Sequence, residues 1–328
     1  MVILSVVIPT YNNEKDLPQC LESIKRQRYP PNNLEILVSD GGSKDHTVAI
    51  ALSYGCRVIN NKNRLAEYGV PLGIQKAKGT YVTILASDNE LKGAEYFKKI
   101  LKPFQNKRIA LSYPLQDSTQ DDTWISRYIN TFTDPVNHFI YWNAANTRTF
   151  NKQYGTREQT VDYCIYGFTE VDYPLIALAQ GTTVVKKYIV GKLHAGDDIL
   201  PLISLIRQGY VFAYIPDATV YHHTSKSLRT FVRKQQWALD NYLFGKNYGF
   251  GKRELYFSFF RKTRQRLWPF YAASIIMPLS ISIWGLISQR KWEWLYHPML
   301  TTLTLVTLVF EYFRVTIIGK KTHRERKV

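Results

Sequence analysis

Four apolar runs, in Leu4–Pro9 (LSVVIP), Leu34–Asp40 (LEILVSD), Cys56–Asn60 (CRVIN) and Thr80–Asp88 (TYVTILASD), alternate with segments long enough for helices. A strand with one wet face alternates apolar and polar residues, so unbroken runs such as VVI and ILV mark strands covered on both faces. Between them, Glu14 to Arg28 carries Leu17, Leu21 and Ile24 at helical spacing, and further helices are expected from about Asp45 to Tyr54 and Val70 to Lys78. This alternation predicts an α/β fold, with a mostly parallel, doubly wound, Rossmann-like sheet. Ligands of such sheets sit beyond the carboxyl ends of the strands, so the residues closing each strand are the ones to read for chemistry.

The first strand closes on Pro9-Thr10-Tyr11-Asn12 and the second on Asp40-Gly41-Gly42-Ser43. A carboxylate past a strand, with glycines that let the backbone come close, can accept a proton from a base or a ribose hydroxyl, and Tyr11 can stack on a base. Either motif alone is also what a core strand and a turn look like. The Thr80–Asp88 run ends on Ser87-Asp88, where a carboxylate can hold a divalent cation or cap a helix. Gly196-Asp197-Asp198 opens an apolar helix, so its acids can be caps or a general base. Tyr221-His222-His223 follows another strand, YIPDATVY; His222 is a metal ligand or a satisfied strand-end residue. Cys20, Cys56 and Cys164 lie far apart with no CxxC pair, which argues against a zinc knuckle and a disulfide framework and fits a reducing compartment.

The net charge of +17 invites a nucleic-acid reading, and its distribution argues against one. Residues 252–328 hold 14 Lys and Arg against 4 Asp and Glu, so +10 of the +17 lies beside the two longest apolar runs. Anionic headgroups attract basic residues at about 1 kcal/mol each near the surface, which makes a membrane the expected partner. The expected division is a soluble domain over residues 1–249 and a membrane region over 250–328. The latter comprises an interfacial helix at about 250–267, transmembrane helices at about 268–288 and 298–318, and a basic tail. Arg261, Lys262, Arg264 and Arg266 precede the first span and Lys320, Lys321, Arg324, Arg326 and Lys327 follow the second, so the positive-inside rule keeps the soluble domain and both termini cytoplasmic in a multi-pass protein. Glu311 and Arg314, one turn apart, can pair.

VVIPTYNN, VSDGGSKDHT, AKGTYVTILASDN and GDDILPLISLIRQGYVFAYIPDATVYHH, in this order, resemble the family-2 glycosyltransferases of GT-A fold over roughly Leu4 to Tyr242. The resemblance implies inverting transfer of one sugar from a UDP- or GDP-linked donor to a lipid-linked or polyprenyl-phosphate acceptor, in glycan or cell-envelope biosynthesis. Pro9, Thr10, Tyr11, Asn12, Asp40, Gly41, Arg64, Ser87 and Asp88 would hold the donor. Asp88, matching the second acid of Asp-x-Asp, would bind Mg²⁺ or Mn²⁺ with help from His222. Asp198 would be the base and Asp197 its support. The processive-synthase Gln-x-x-Arg-Trp survives only as Arg233-Lys234-Gln235-Gln236-Trp237, so Trp237, Gln236 and Arg233 become acceptor candidates and processivity is not expected. Ala86 stands where the first metal acid belongs, which implies modest metal affinity and keeps open a catalytically inactive membrane scaffold. A nucleotidyltransferase is the other rival, but the Gly-rich basic loop expected after its first strand is missing. Asp134, His138 and Asn146 lie where such folds shape the acceptor pocket, with packing as their simpler role. Self-association stays open.

Overall fold

The computed structural model describes residues 3–193, 197–243 and 253–318. In chain order it begins β1 (Leu4–Thr10), α1 (Leu17–Lys25), β2 (Leu34–Asp40), α2 (Thr47–Ser53), β3 (Arg57–Asn60), α3 (Ala66–Lys76), β4 (Tyr81–Ile84), β5 (Asn89–Leu91), α4 (Tyr96–Leu101) and β6 (Ile109–Asp117). Two helices, α5 (Trp124–Phe132) and α6 (Pro135–Tyr141), precede β7 (Thr156–Gln159), β8 (Cys164–Tyr166), β9 (Thr183–Val185), α7 (Lys186–Ile189), α8 (Leu200–Arg207) and β10 (Val211–His222). Among the described residues after β10 stand the helices α9 (Leu228–Leu243), α10 (Phe259–Ala273), α11 (Ile276–Gln289) and α12 (His297–Ile318).

The chain folds as two compact units, Met1–Ser118 with Thr147–His223, and Thr119–Asn146 with Thr224–Val328. The boundary expected after residue 249 falls outside the described residues, and α5, α6 and α9 belong with the C-terminal helices rather than with the sheet. All the strands lie in the first unit, in the order β3-β2-β1-β4-β9-β6-β10-β8-β7, with β5 on β10. β1 pairs parallel with β2 and β4, β2 with β3, and β6 with β10. Because β9 runs antiparallel to both β4 and β6, those two point the same way. The carboxyl ends of β1, β2, β3, β4, β6 and β10 therefore share one rim.

Every residue of β1 is buried, which is why its sequence does not alternate. Leu4, Val6 and Ile8 pack with Leu17, Cys20, Leu21 and Ile24 of α1, while Val7 faces α3. There Gly73 is required: a Cβ would collide with both methyls of Val7. The helix expected from Val70 starts earlier, at Ala66, and accommodates Pro71 in its second turn. The fourth strand is shorter than its apolar run implies. It stops at Ile84, and Asn89–Leu91 turns back to pair antiparallel with β10, which leaves Asp88 on the bend.

In the second unit Ile125, Tyr128 and Phe132 of α5 bury against Phe231 of α9, Trp294 and Leu300. Trp268, Tyr271 and Ala272 of α10 pack on Val136 and Phe139 of α6. The first expected span, 268–288, is not one helix. Phe259–Ala273 and Ile276–Gln289 meet at 98°, with Ile275 at φ +56°. Pro278 offers no N–H to the carbonyl of Ser274 and its ring crowds that carbonyl, which favours the break at this point; the Ser274 hydroxyl accepts from the Met277 N–H at 3.2 Å. The second expected span does fold as a helix, and Trp292–Ile317 is long and apolar enough to cross a membrane.

Candidate functional site

The first three loops of the rim are laced together by short polar side chains. Asp40 is buried; its Oδ2 accepts from the N–H groups of Gly42 and Ser43, both at 2.9 Å, and its Oδ1 accepts from the Ser43 hydroxyl. Ser43 in turn accepts from the Asn12 N–H at 2.8 Å, and the Asn12 side chain accepts from the Lys44 N–H at 2.8 Å. Burial works to raise the Asp45 carboxyl, but hydrogen bonds from the Thr47 hydroxyl and N–H and the Glu14 N–H outweigh it and hold the group below its ordinary value. Asn12 adopts φ +47°, a strained position that these reciprocal bonds hold in place.

Tyr11 and Arg64 come together beside these loops, with the guanidinium 5.6 Å from the ring centroid. A Cβ on Gly41 would lie 2.9 Å from both Cα and O of Arg64, so only glycine lets the Arg64 backbone approach the second loop. The buried Thr10 hydroxyl has no hydrogen-bond partner among the described residues. Pro9, by contrast, sits inside the sheet against Gly69 of α3, and this contact is packing. Ser87 accepts from the Asn13 side-chain amide, fixing the segment before Asp88 to the loop after β1.

Asp88 faces His222, with Oδ2 3.7 Å from Nε2. The other ring nitrogen, Nδ1, lies 3.0 Å from the side-chain amide of Gln116, which β6 delivers because Gln116 pairs with Val220 of β10. Two ligands about 2.1 Å from a common cation lie up to about 4.2 Å apart, so this pair fits a divalent ion. An amide can present either end, and with its oxygen toward Nδ1 the Nε2 lone pair is directed outward. Among the described residues no group of three His, Cys, Asp or Glu side chains could hold a metal. Asp117 accepts from Arg148 at 2.7 Å on the same rim. Glu90 is bound by Arg26 and Gln19, both at 2.8 Å, with His223 at 3.5 Å. Sequence reading missed Gln116, Asp117, Arg148 and Glu90; their partners lie 31 to 133 residues away, and no local pattern announces them.

The adjacent acids have different environments. Asp197 is buried and its Oδ1 caps α8, accepting from the Ile199 and Leu200 N–H groups, both at 2.8 Å. Its Oδ2 is buried with no hydrogen-bond partner among the described residues. The carbonyl of Asp198 accepts from Leu178 at 3.1 Å. Leu178 lies just ahead of β9, whose first residue, Thr183, registers with Thr83 near the end of β4. The two acids are thus attached at the rim that carries Asp88.

The acceptor candidates all lie on α9, in the second unit. Gln236 donates to the buried Glu311 at 3.3 Å, and Glu311 pairs with Arg314, as the one-turn spacing implied. Trp237 lines a cavity of about 660 Å³, together with Val136, Ile140, Phe231, Phe257 and Leu308. Arg233 is half-buried. Asp134 caps α6 through the Val136 and Asn137 N–H groups, and Asn146 donates to the Asn130 carbonyl, so both have structural work. His138 is buried, and burial pushes its imidazole down to about 4.

The model of "Glycosyl transferase family 2" matches residues 5–170. A Methanococcus voltae protein named as a dolichyl N-acetyl-α-D-glucosaminyl phosphate 3-β-D-2,3-diacetamido-2,3-dideoxy-β-D-glucuronosyltransferase is 23% identical over 299 residues, covering 88% of this chain and 83% of its own. A dolichyl-phosphate β-glucosyltransferase of Trichomonas vaginalis is 28% identical over 141 residues, 38% of this chain and 43% of its own length. Among solved structures, a mannosyltransferase of Pyrobaculum calidifontis in complex with GDP-Man and Mn²⁺ superposes with a TM-score of 0.53 at 13% identity, covering 95% of this chain and 87% of that one. The likeness to the last shows the fold.

Proposed function

This chain belongs to glycosyl transferase family 2, and from that premise we propose that it moves a single sugar, with inversion, from a nucleoside diphosphate to a lipid-linked acceptor at a membrane. The observation that carries this reading is the Asp88–His222 pair at 3.7 Å, braced by Gln116, on the rim that also carries Tyr11 and Arg64. Tyr11 and Arg64 offer the base a stacking face. Asp40 orders the loop beneath it; three of the roughly four acceptor positions of this carboxylate are used, leaving one for a base N–H. Thr10 keeps a buried hydroxyl for the donor.

Asp88 and His222 would hold the Mg²⁺ or Mn²⁺ ion, which offsets the charge that collects on the departing diphosphate. Mn²⁺ in the mannosyltransferase complex supports the use of a divalent cation. Asp198 takes the proton of the acceptor hydroxyl as the oxygen bonds to the anomeric carbon and the bond to diphosphate breaks. An acceptor that is already a phosphate needs no base, and Asp198 then orients it. Asp197 fixes the start of α8 and with it the position of Asp198. The apolar cavity beside Trp237 suits the hydrocarbon of a lipid acceptor, as do the dolichyl-linked substrates in the names of the two relatives.

A panel of nucleotide-sugars, offered to membranes containing the protein and extracted lipids, should yield a product one sugar heavier by mass. Transfer should fall at least about 100-fold in Asp88→Asn, and equally in Asp198→Asn where the acceptor group is a hydroxyl. Wild-type rates in both variants would refute the assignment. Ala86 favours a second reading, a protein that binds the nucleotide-sugar without turnover; binding with no product across the full panel would select it.

A further inference from the structure

The helix Trp292–Ile317 has the length and composition of a membrane span, but its neighbours do not. At its start, Glu293 pairs with Arg127 of α5 at 3.3 Å and His297 bonds to Tyr128 of α5 and Tyr271 of α10, both at 2.7 Å. Leu300 and Trp294 pack on Phe231 of α9, and eleven residues further along α12 Glu311 meets Gln236 of the same helix at 3.3 Å. Those eleven residues rise about 16 Å, half of a hydrocarbon core. On α9 the two contacts, Phe231 and Gln236, stand about 8 Å apart, and Arg233 and Lys234 lie between them. Were α12 to stand across the bilayer, these charges would travel beside it at hydrocarbon depth, at about 2.5–3.5 kcal/mol for each at the centre.

The opposite face of α12 is built differently. Met299, Val306, Phe310, Phe313 and Ile317, spaced three, four or seven apart, are 46–73% exposed. α10 adds Phe259, Phe260 and Phe270, and α11 adds Ile276, Met277, Ile283 and Ile287, all exposed. The 98° bend between α10 and α11 makes a straight crossing by that pair impossible as well. Exposed Arg290 and Lys291 follow α11. In a two-span topology these two cations would lie on the far side, away from the headgroup layer that the other basic residues meet.

We propose that the C-terminal helices of the second unit embed their outward apolar faces in a single leaflet with anionic headgroups and do not cross the bilayer. Exposed Lys262, Arg266, Arg290 and Lys291 then meet the same headgroup layer, each contributing about 1 kcal/mol. Both chain ends stay on the side of the catalytic unit. The surface is independent of which sugar is transferred.

Single cysteines at Lys107, Lys291 and Val328 of the full-length protein, in a Cys164→Ser background, can be probed with a membrane-impermeant maleimide in sealed vesicles of each orientation. Lys107→Cys marks the catalytic side. The proposal requires all three sites to label in one orientation as fully as after detergent lysis, and to be protected in the other. Labelling of Lys291→Cys only from the side opposite Lys107→Cys would overturn it in favour of two crossings; opposite-side labelling of Val328→Cys alone would overturn it in favour of one. Recovery of the wild-type protein in the soluble fraction, away from vesicles containing anionic lipid, would also overturn it.

Discussion

Replacing Gln116 with leucine is expected to weaken cation use without touching a cation ligand. The amide meets Nδ1 of His222 at 3.0 Å and is the contact that aims Nε2 toward Asp88 Oδ2, 3.7 Å away. Leucine has nearly the same volume but no polar atom, so Nδ1 loses a partner and the ring loses its rotational brace. Loss of such an outer partner typically lowers metal affinity 10- to 100-fold, or about 1.4–2.7 kcal/mol. Mn²⁺ binding with the nucleoside diphosphate should fall by that factor. The Mn²⁺ concentration for half-maximal transfer should rise equally, while the rate at saturating Mn²⁺ stays within a few-fold of wild type. Calorimetric titration of Mn²⁺ in the presence of UDP or GDP gives the affinity, and a parallel metal titration of transfer gives the second readout. An unchanged affinity in a variant with wild-type melting temperature would refute the assignment of His222 as a ligand.

Three further outcomes follow from the fold. His138 is pushed down to about 4 by burial, so the unfolded chain takes up a proton that the folded unit refuses; stability should fall as pH drops from about 6.5 to about 4, with His138 contributing about 3 kcal/mol of the loss. His138→Leu should flatten this part of a melting-temperature profile in detergent, and an unaltered profile would count against the burial argument. Gly73→Ala should cost about 1–3 kcal/mol through collision with Val7, lowering the melting temperature by about 2–12 °C, and an unshifted temperature would show that the α3–β1 contact can relax. Burial raises Cys20 above its ordinary range and Cys56 to about 11, so thiol reagents at pH 8 should spare both in the folded protein and modify both after denaturation; rapid native labelling would contradict their packing.

The parallel half of the sheet was legible because strands buried on both faces need unbroken apolar runs, and β2 spans the same seven residues in sequence and structure. The same logic overextended the fourth strand, since LASD carries nothing to show that Asn89–Leu91 would turn back onto β10. Tyr11 and Asp88 stood out at strand ends, whereas Arg64 entered only through the family resemblance. Gln116 was not readable, because β6 and β10 pair across about a hundred residues. Composition also hid the break in the first apolar run: Ser274 and Ile275 look like the rest of it, and only Pro278, four residues after Ser274, signals that a carbonyl will lack its donor. The aromatic stretch containing α5 and α6 gave no hint that it packs with the C-terminal helices, since the rings that bury there are of the same kinds as those in the sheet core.

The most direct test is anomalous diffraction from crystals grown with Mn²⁺ and the donor's nucleoside diphosphate. The account requires a manganese peak within bonding distance of Asp88 Oδ2 and His222 Nε2, with the nucleotide base against Tyr11 and Arg64. A peak elsewhere, or a nucleotide bound away from that rim, would contradict it.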